Sequence, residues 1–143
     1  MRNNFFKFFI LLLIICNISL ADQFIFETSK IDILKEGNLL IIAGEGKAES
    51  IDEDLVINAK KFEYKKDKKT IKAFNGIAYF KSNNLKIQFD EIISNQLTQI
   101  TTAKNNVKIF DLNKNLSIET KLVNFNKKDN VLESPTPSTI KDK

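Results

Sequence analysis

A short apolar motif recurs four times at a nearly constant step, and this restricts the chain to a repeat architecture. Leu55-Val56-Ile57-Asn58-Ala59 returns as Leu85-Lys86-Ile87-Gln88-Phe89 and as Leu116-Ser117-Ile118-Glu119-Thr120, and an earlier copy reads Phe24-Ile25-Phe26-Glu27-Thr28. The starts at 24, 55, 85 and 116 lie 31, 30 and 31 residues apart. The second half of each unit keeps phase. An apolar residue follows each start by seven positions (Ile31, Phe62, Ile92, Val123), and a small residue comes later (Ala43, Ala73, Ala103, Ser134). A period of this length marks one supersecondary unit that cannot bury its apolar face alone, so neighbouring units must stack.

Within each unit the apolar period is two, the signature of strand. Leu55, Ile57 and Ala59 share one face, but the next apolar pair, Phe62 and Tyr64, has the opposite parity. The same slip separates Leu116, Ile118 and Thr120 from Val123 and Phe125, and Phe24, Phe26 and Thr28 from Ile31 and Ile33. A one-residue slip would turn every following side chain to the wrong face unless the strand bends or bulges there. Stacked corners would fold a long sheet over on itself, with an apolar inner surface. Polar clusters separate the strands: Lys35-Glu36-Gly37-Asn38, Lys65 to Lys69, Lys81-Ser82-Asn83-Asn84, Asn113-Lys114-Asn115 and Lys127-Lys128-Asp129-Asn130. Asn, Asp and Gly tolerate the left-handed backbone such reversals need. A helix over residues 51–64 fits the apolar positions less well than strand. Pro135 and Pro137 break strand pairing after Ser134. A fifth unit would begin near position 146, so the sequence reads as ending in a ragged cap or as the first part of a longer protein.

The N-terminus has the layout of a secretory signal. Arg2 and Lys7 precede an unbroken apolar run, Phe8 to Ile15, and Ser19-Leu20-Ala21 supplies small residues for cleavage after Ala21. The run is shorter than the roughly 20 residues a spanning helix needs. Ile15 stands where lipoprotein processing at Cys16 would want a small residue. The expected division is a signal peptide helix, 1–21, and one β domain, 22–143. Loss of Arg2 and Lys7 lowers the formal charge from +4 to about +2 and removes the only cysteine, so no disulfide is available. The remaining lysines are interspersed with acids and form no basic block, which argues for a solvated face and against nucleic acid. Phe62, Tyr64, Tyr79 and Phe80 could stack bases, but most follow the inward alternation.

The usual catalytic groups are missing. There is no histidine for a Ser-His-Asp or Cys-His arrangement, and no thiolate or imidazole for zinc in the mature chain. Gly44-Glu45-Gly46 lacks the third glycine of a phosphate loop. Asp52, Glu53 and Asp54 form a carboxylate cluster without the ligand spacing of a calcium loop. Asp90 and Glu91 are the one pair to consider for glycoside hydrolysis, and they sit where a polar corner is expected. The reading is of a protein that is not an enzyme and needs no cofactor.

The run Leu55 to Tyr64, followed by Ile71-Lys72-Ala73-Phe74-Asn75-Gly76 and by Thr101-Thr102-Ala103-Lys104-Asn105-Asn106-Val107, resembles the OstA-like domain family. These are the periplasmic β-jellyroll, or β-taco, domains of lipopolysaccharide transport proteins A and C and of the N-terminal part of protein D. The resemblance extends over about Phe24 to Ser134. Asn106 departs from it, standing where the family has glycine; Gly76-Ile77 matches better. It implies an antiparallel jellyroll with an apolar inner groove, located in the periplasm, free or associated with the outer membrane. The implied role is to pass lipopolysaccharide toward the outer membrane. The implied partners are lipid A acyl chains and other jellyroll modules joined by edge-strand pairing, including copies of the same chain head to tail.

Physical chemistry favours such a path. Exposing an acyl chain costs about 0.8 kcal/mol per methylene, so a dozen methylenes cost on the order of 10 kcal/mol. The expected groove lining is Leu55, Ile57, Phe62, Leu85, Ile87, Phe89, Ile92, Leu116, Ile118, Val123 and Phe125. The same residues could instead fill a closed core, as in a structural envelope repeat protein without a lipid ligand. Two further readings stay open: the N-terminal part of the outer-membrane translocon subunit, and a carbohydrate-active β-solenoid.

Overall fold

The computed structural model describes residues 24–34, 40–50 and 54–142. The signal segment, the predicted turn at Lys35-Asn38, and Asp52 and Glu53 lie outside the described residues. Among the described residues every regular element is a strand: β1 (Phe24–Thr28), β2 (Ile31–Leu34), β3 (Leu40–Ala43), β4 (Gly46–Ser50), β5 (Leu55–Lys65), β6 (Thr70–Phe80), β7 (Leu85–Asn95), β8 (Ile100–Asp111), β9 (Leu116–Asn126), β10 (Val131–Glu133) and β11 (Thr139–Asp142). All pair antiparallel in one open sheet. Residues 55–64, which could also have been drawn as helix, are strand.

Each long strand belongs to two arms. In the first arm β1, β4, the N-terminal half of β5 and the C-terminal half of β6 pair in succession, and the series continues through β7, β8 and β9 to β11. In the second arm β2 and β3 pair, then the other halves of β5 to β9, then β10. β1–β2, β3–β4 and β10–β11 are therefore strands interrupted at the corner. One 31-residue unit corresponds to two bent strands.

The corner is the predicted slip in parity. On β5 the buried set passes from Leu55, Ile57 and Ala59 to Phe62 and Tyr64; on β7 it passes from Leu85, Ile87 and Phe89 to Ile92 and Ser94. Backbone at the corner takes the left-handed conformation, with φ of 52° at Asn75, 58° at Asn105 and 46° at Asn106. β8 carries one residue more than its neighbours, 12 against 11. Its pairing accordingly shifts register against both β7 and β9. Asparagine is among the few side chains that enter this region readily, so Asn75, Asn105 and Asn106 suit the corner.

Hairpins of four residues join the long strands. The last residue of each turn is left-handed: Lys69 (φ 45°), Asn84 (49°), Gln99 (56°), Asn115 (55°) and Asn130 (53°). The turns also dock on one another. Lys81 N–H donates to the Asp54 carbonyl and Leu112 N–H to that of Asn84 at one rim; Gln96 N–H donates to Lys69 O and Lys127 N–H to Gln99 O at the other, each at 3.0 Å. Strand pairing stops at Glu133, where Pro135 and Pro137 intervene, and resumes at Thr139 against β9. A hydroxyl cluster bridges that gap, with Thr120 Oγ1 2.8 Å from both Ser134 Oγ and Thr136 Oγ1. These side chains occupy the corner where proline cannot donate to the ladder.

The two arms face each other. Phe80 of the first arm meets Phe125 of the second with ring centroids 4.7 Å apart, and Phe26 meets Phe62 at 5.8 Å. Gln96, at the rim of the second arm, donates from Nε2 to Ser50 Oγ of the first at 3.3 Å. The arms are offset in these contacts: a strand of the first arm packs on one that lies two or three bent strands later in the second. A twisted sheet folded on itself produces this stagger.

Candidate functional site

Outer and inner faces differ sharply. The outer face carries interleaved charges: Lys47 and Lys81 flank Glu49, Lys72 and Lys104 flank Glu91, and Lys108 and Lys141 flank Glu119. Its aromatic residues lie under lysines, with Lys72 Nζ 5.0 Å from the Phe74 ring centroid and Lys86 Nζ 5.7 and 5.5 Å from those of Tyr79 and Phe110. Of the four aromatics considered for base stacking, Phe62, Tyr64 and Phe80 are buried inside and only Tyr79 faces outward. Asp90 accepts a hydrogen bond from Asn106 Nδ2 at 2.7 Å, and Glu91 pairs with Lys72 at 3.0 Å. Both carboxylates are thus part of the corner's polar packing. No group of metal-ligating side chains occurs among the described residues.

Glu49 gives the outer face a measurable titration. The ammonium of Lys47, then that of Lys81, hold its carboxyl at about 2, below the ordinary 4.5. A depressed carboxylate stabilises the fold above its unfolded value, and that stabilisation is lost as pH falls from 4.5 through about 2. An NMR titration of the Glu49 side-chain carbon should show this low midpoint, and Lys81→Met should raise it. A midpoint unmoved by Lys81→Met would mean that the pair does not form in solution.

The expected lining residues divide into two groups. Leu55, Ile57, Phe62, Leu85, Ile87, Phe89, Ile92, Val123 and Phe125 are all buried, most of them completely. They form one contiguous core with Ile71, Ala73, Ala78, Val107 and Ile109. From β3 to β7 the interior is filled by these side chains packing on one another. Leu116 and Ile118 are only partly buried. They line a cleft of about 390 Å³ together with Leu85, Ile109, Phe125 and Leu132, and its rim is polar: Asn83, Asp111, Asn113, Lys114 and Asn130.

The stagger of the arms explains why the cleft lies there. Ile109, Leu116 and Ile118 belong to the last strands of the first arm. Among the described residues their facing layer in the second arm is the short β10, which supplies Leu132. The opposite end mirrors this. On β2 of the second arm, Ile31 and Ile33 pair with Ala43 and Ile41, yet remain 47% and 56% exposed. Ile109 and Leu132 were not among the expected lining residues. Ile109 keeps the parity of Ala103, where the neighbouring strands slip, and this hid its inward role; Leu132 sits in a short strand after a charged turn and gives no periodic signal. No protein-family model matches the chain, and no curated protein matches its sequence.

Proposed function

We propose that this chain is a lipid-conducting β-jellyroll module of the OstA-like kind, exported to the periplasm, that passes lipopolysaccharide toward the outer membrane. The observation that carries the reading is the cleft between the two arms, with an apolar floor of Leu116, Ile118, Leu132 and Phe125 and a rim of asparagines, Asp111 and Lys114. Its volume of about 390 Å³ lies within the range of roughly 300–1,000 Å³ usual for small-ligand sites. An acyl chain in it would trade water for the side chains of two repeats. The sugar and phosphate portion of the lipid would stay at the polar rim.

The exposed ends support the same reading. Ile31 and Ile33 at one end, and Ile118 and the 65%-exposed Ile140 at the other, are parts of the staggered interior that meet no facing layer among the described residues. A second module stacked head to tail would supply each half to the other and pair the open edges, turning an aggregation liability into a joint. The alternative, a structural envelope repeat protein without a lipid, draws on the filled interior between β3 and β7.

A photoreactive residue at Ile118, compared with one at the outward Gln88, separates the two. Incubation with lipopolysaccharide should label the Ile118 reporter many times more strongly than the Gln88 reporter. Equal labelling at both positions, or none at Ile118, would rule out transport through the cleft. Ile87 is a poorer reporter, since it lies fully buried in the packed interior.

A further inference from the structure

Two layers of cross-arm contact border the cleft. At the rim, Asn83 Nδ2 donates to Asn130 Oδ1 at 2.8 Å. Asn83 lies in the turn that ends the first arm between β6 and β7, and Asn130 in the turn that ends the second arm between β9 and β10. Directly inward, Phe80 from β6 and Phe125 from β9 meet edge to face at 4.7 Å. Both asparagines and Phe125 line the cleft.

The amide bond is supported from behind. Asn113 Nδ2 donates to the Asn83 carbonyl at 3.3 Å and accepts at Oδ1 from Asn84 Nδ2 at 2.8 Å. Four asparagines from three turns thus fix Asn83 toward Asn130. A related bridge, Ser50–Gln96, lies one repeat earlier and is buried, with Ser50 at 1% and Gln96 at 8% exposure. The two bridges differ in solvation. Ser50–Gln96 sits over filled core, whereas Asn130 is exposed and Asn83 half-buried over open space. A water-exposed amide pair exchanges its hydrogen bond for water at little net cost, so the rim parts here more readily than at the buried Ser50–Gln96 bridge.

We propose that Asn83–Asn130, with the Phe80–Phe125 contact beneath it, is a gate on the cleft: its opening spreads the arms and admits the acyl chain. The gate rests on the lipid reading above and concerns how that site is regulated. Parting the amides lets the rings separate, which lengthens the cleft along the sheet toward β6. The closed form keeps water off Phe125 when no lipid is present.

The test has two readouts. In a Cys16→Ser background, spin labels at Ser82→Cys and Lys128→Cys report the width of the mouth without any ligand. Asn83→Ala should lengthen and broaden that distance. With a pyrene-labelled dodecanoic acid as probe, the same substitution should speed entry about three- to tenfold, the factor one net hydrogen bond supplies. The pair Asn83→Asp with Asn130→Lys should slow entry, and 1 M salt should restore it by screening the new ion pair. An unchanged label distance in Asn83→Ala overturns the gate. So does a wider mouth with unaltered probe entry, while the lipid reading stands. A wider mouth with no probe bound by any variant overturns the lipid reading and the gate with it.

Discussion

Gly76→Ala should destabilise the fold by about 3 kcal/mol, at the upper end of what overpacking a tight contact usually costs. At the corner where β6 pairs with β5, a methyl group on Gly76 would lie 2.2 Å from the Asn58 carbonyl oxygen, 2.7 Å from Ala59 Cβ and 2.8 Å from Ala59 Cα. Two of these are backbone atoms and the third is fixed to one, so no rotamer change relieves the clash. The strands would have to separate, and Ala59↔Gly76 and Gly76↔Phe89 are the ladder positions that hold β6 between its neighbours. A loss of 3 kcal/mol is a large share of the roughly 5–15 kcal/mol that stabilises an ordinary domain. Gly44 provides the control, because a methyl there would find nothing closer than 3.8 Å. Gly44→Ala should be neutral or stabilise by up to about 1 kcal/mol through the unfolded state. Urea unfolding reads both as midpoint shifts at constant slope. Equal midpoints for the two variants would show that the strands do not approach this closely at the corner.

That corner is also where the sequence was most and least informative. The passage from Ala59 to Phe62 changes parity, and a parity change in a half-buried strand has few solutions other than a bend. The bend, the paired arms and most of the inner face were therefore legible from alternation alone. β8 was harder to read. Its buried residues Ala103 and Val107 keep the same parity because Asn105 and Asn106 add a residue, so the slip is cancelled and the inward role of Val107 and Ile109 is masked. The turn Gln96-Leu97-Thr98-Gln99 was invisible for a different reason. It contains no Gly, Asn or Asp, and Gln99 takes φ 56° under tertiary constraint, with its carbonyl accepting from Lys127. Nor could β11 be foreseen, since two prolines precede it and only the pairing of Ile140 with Ile118 restores the strand.

The candidate site was legible as a list of residues but not as a place. Leu85-Lys86-Ile87 and Leu116-Ser117-Ile118 follow the same pattern, yet Leu85 and Ile87 are buried, with only Leu85 reaching the cleft, whereas Leu116 and Ile118 are both half-buried beside open space. What separates them is the stagger between arms, a property of sheet twist that no local window of sequence contains. Repetition told how many units stack; it could not tell at which end the facing layer runs out.

This difference predicts that stability and binding will separate along the repeat. Phe62→Ala removes a fully buried ring from the middle of the core, where it contacts Phe26 at 5.8 Å between ring centroids. The cost should be about 3–5 kcal/mol, the usual range for a large aromatic in a packed site. Leu116→Ala trims a partly solvated side chain at the cleft, where no tight cavity forms, and should cost about 1 kcal/mol. Binding should show the reverse order. Leu116→Ala removes part of the surface an acyl chain would cover and should weaken capture of the pyrene-labelled dodecanoic acid several-fold. The Phe62→Ala protein that remains folded should bind that probe as the parent does, because the ring lies on the far side of the filled interior. Thermal unfolding and probe titration on the same samples give both quantities. If Leu116→Ala proved as destabilising as Phe62→Ala and left the probe's affinity unchanged, Leu116 would be ordinary core. The space beside it would then be a packing defect at the end of a stack and not a site.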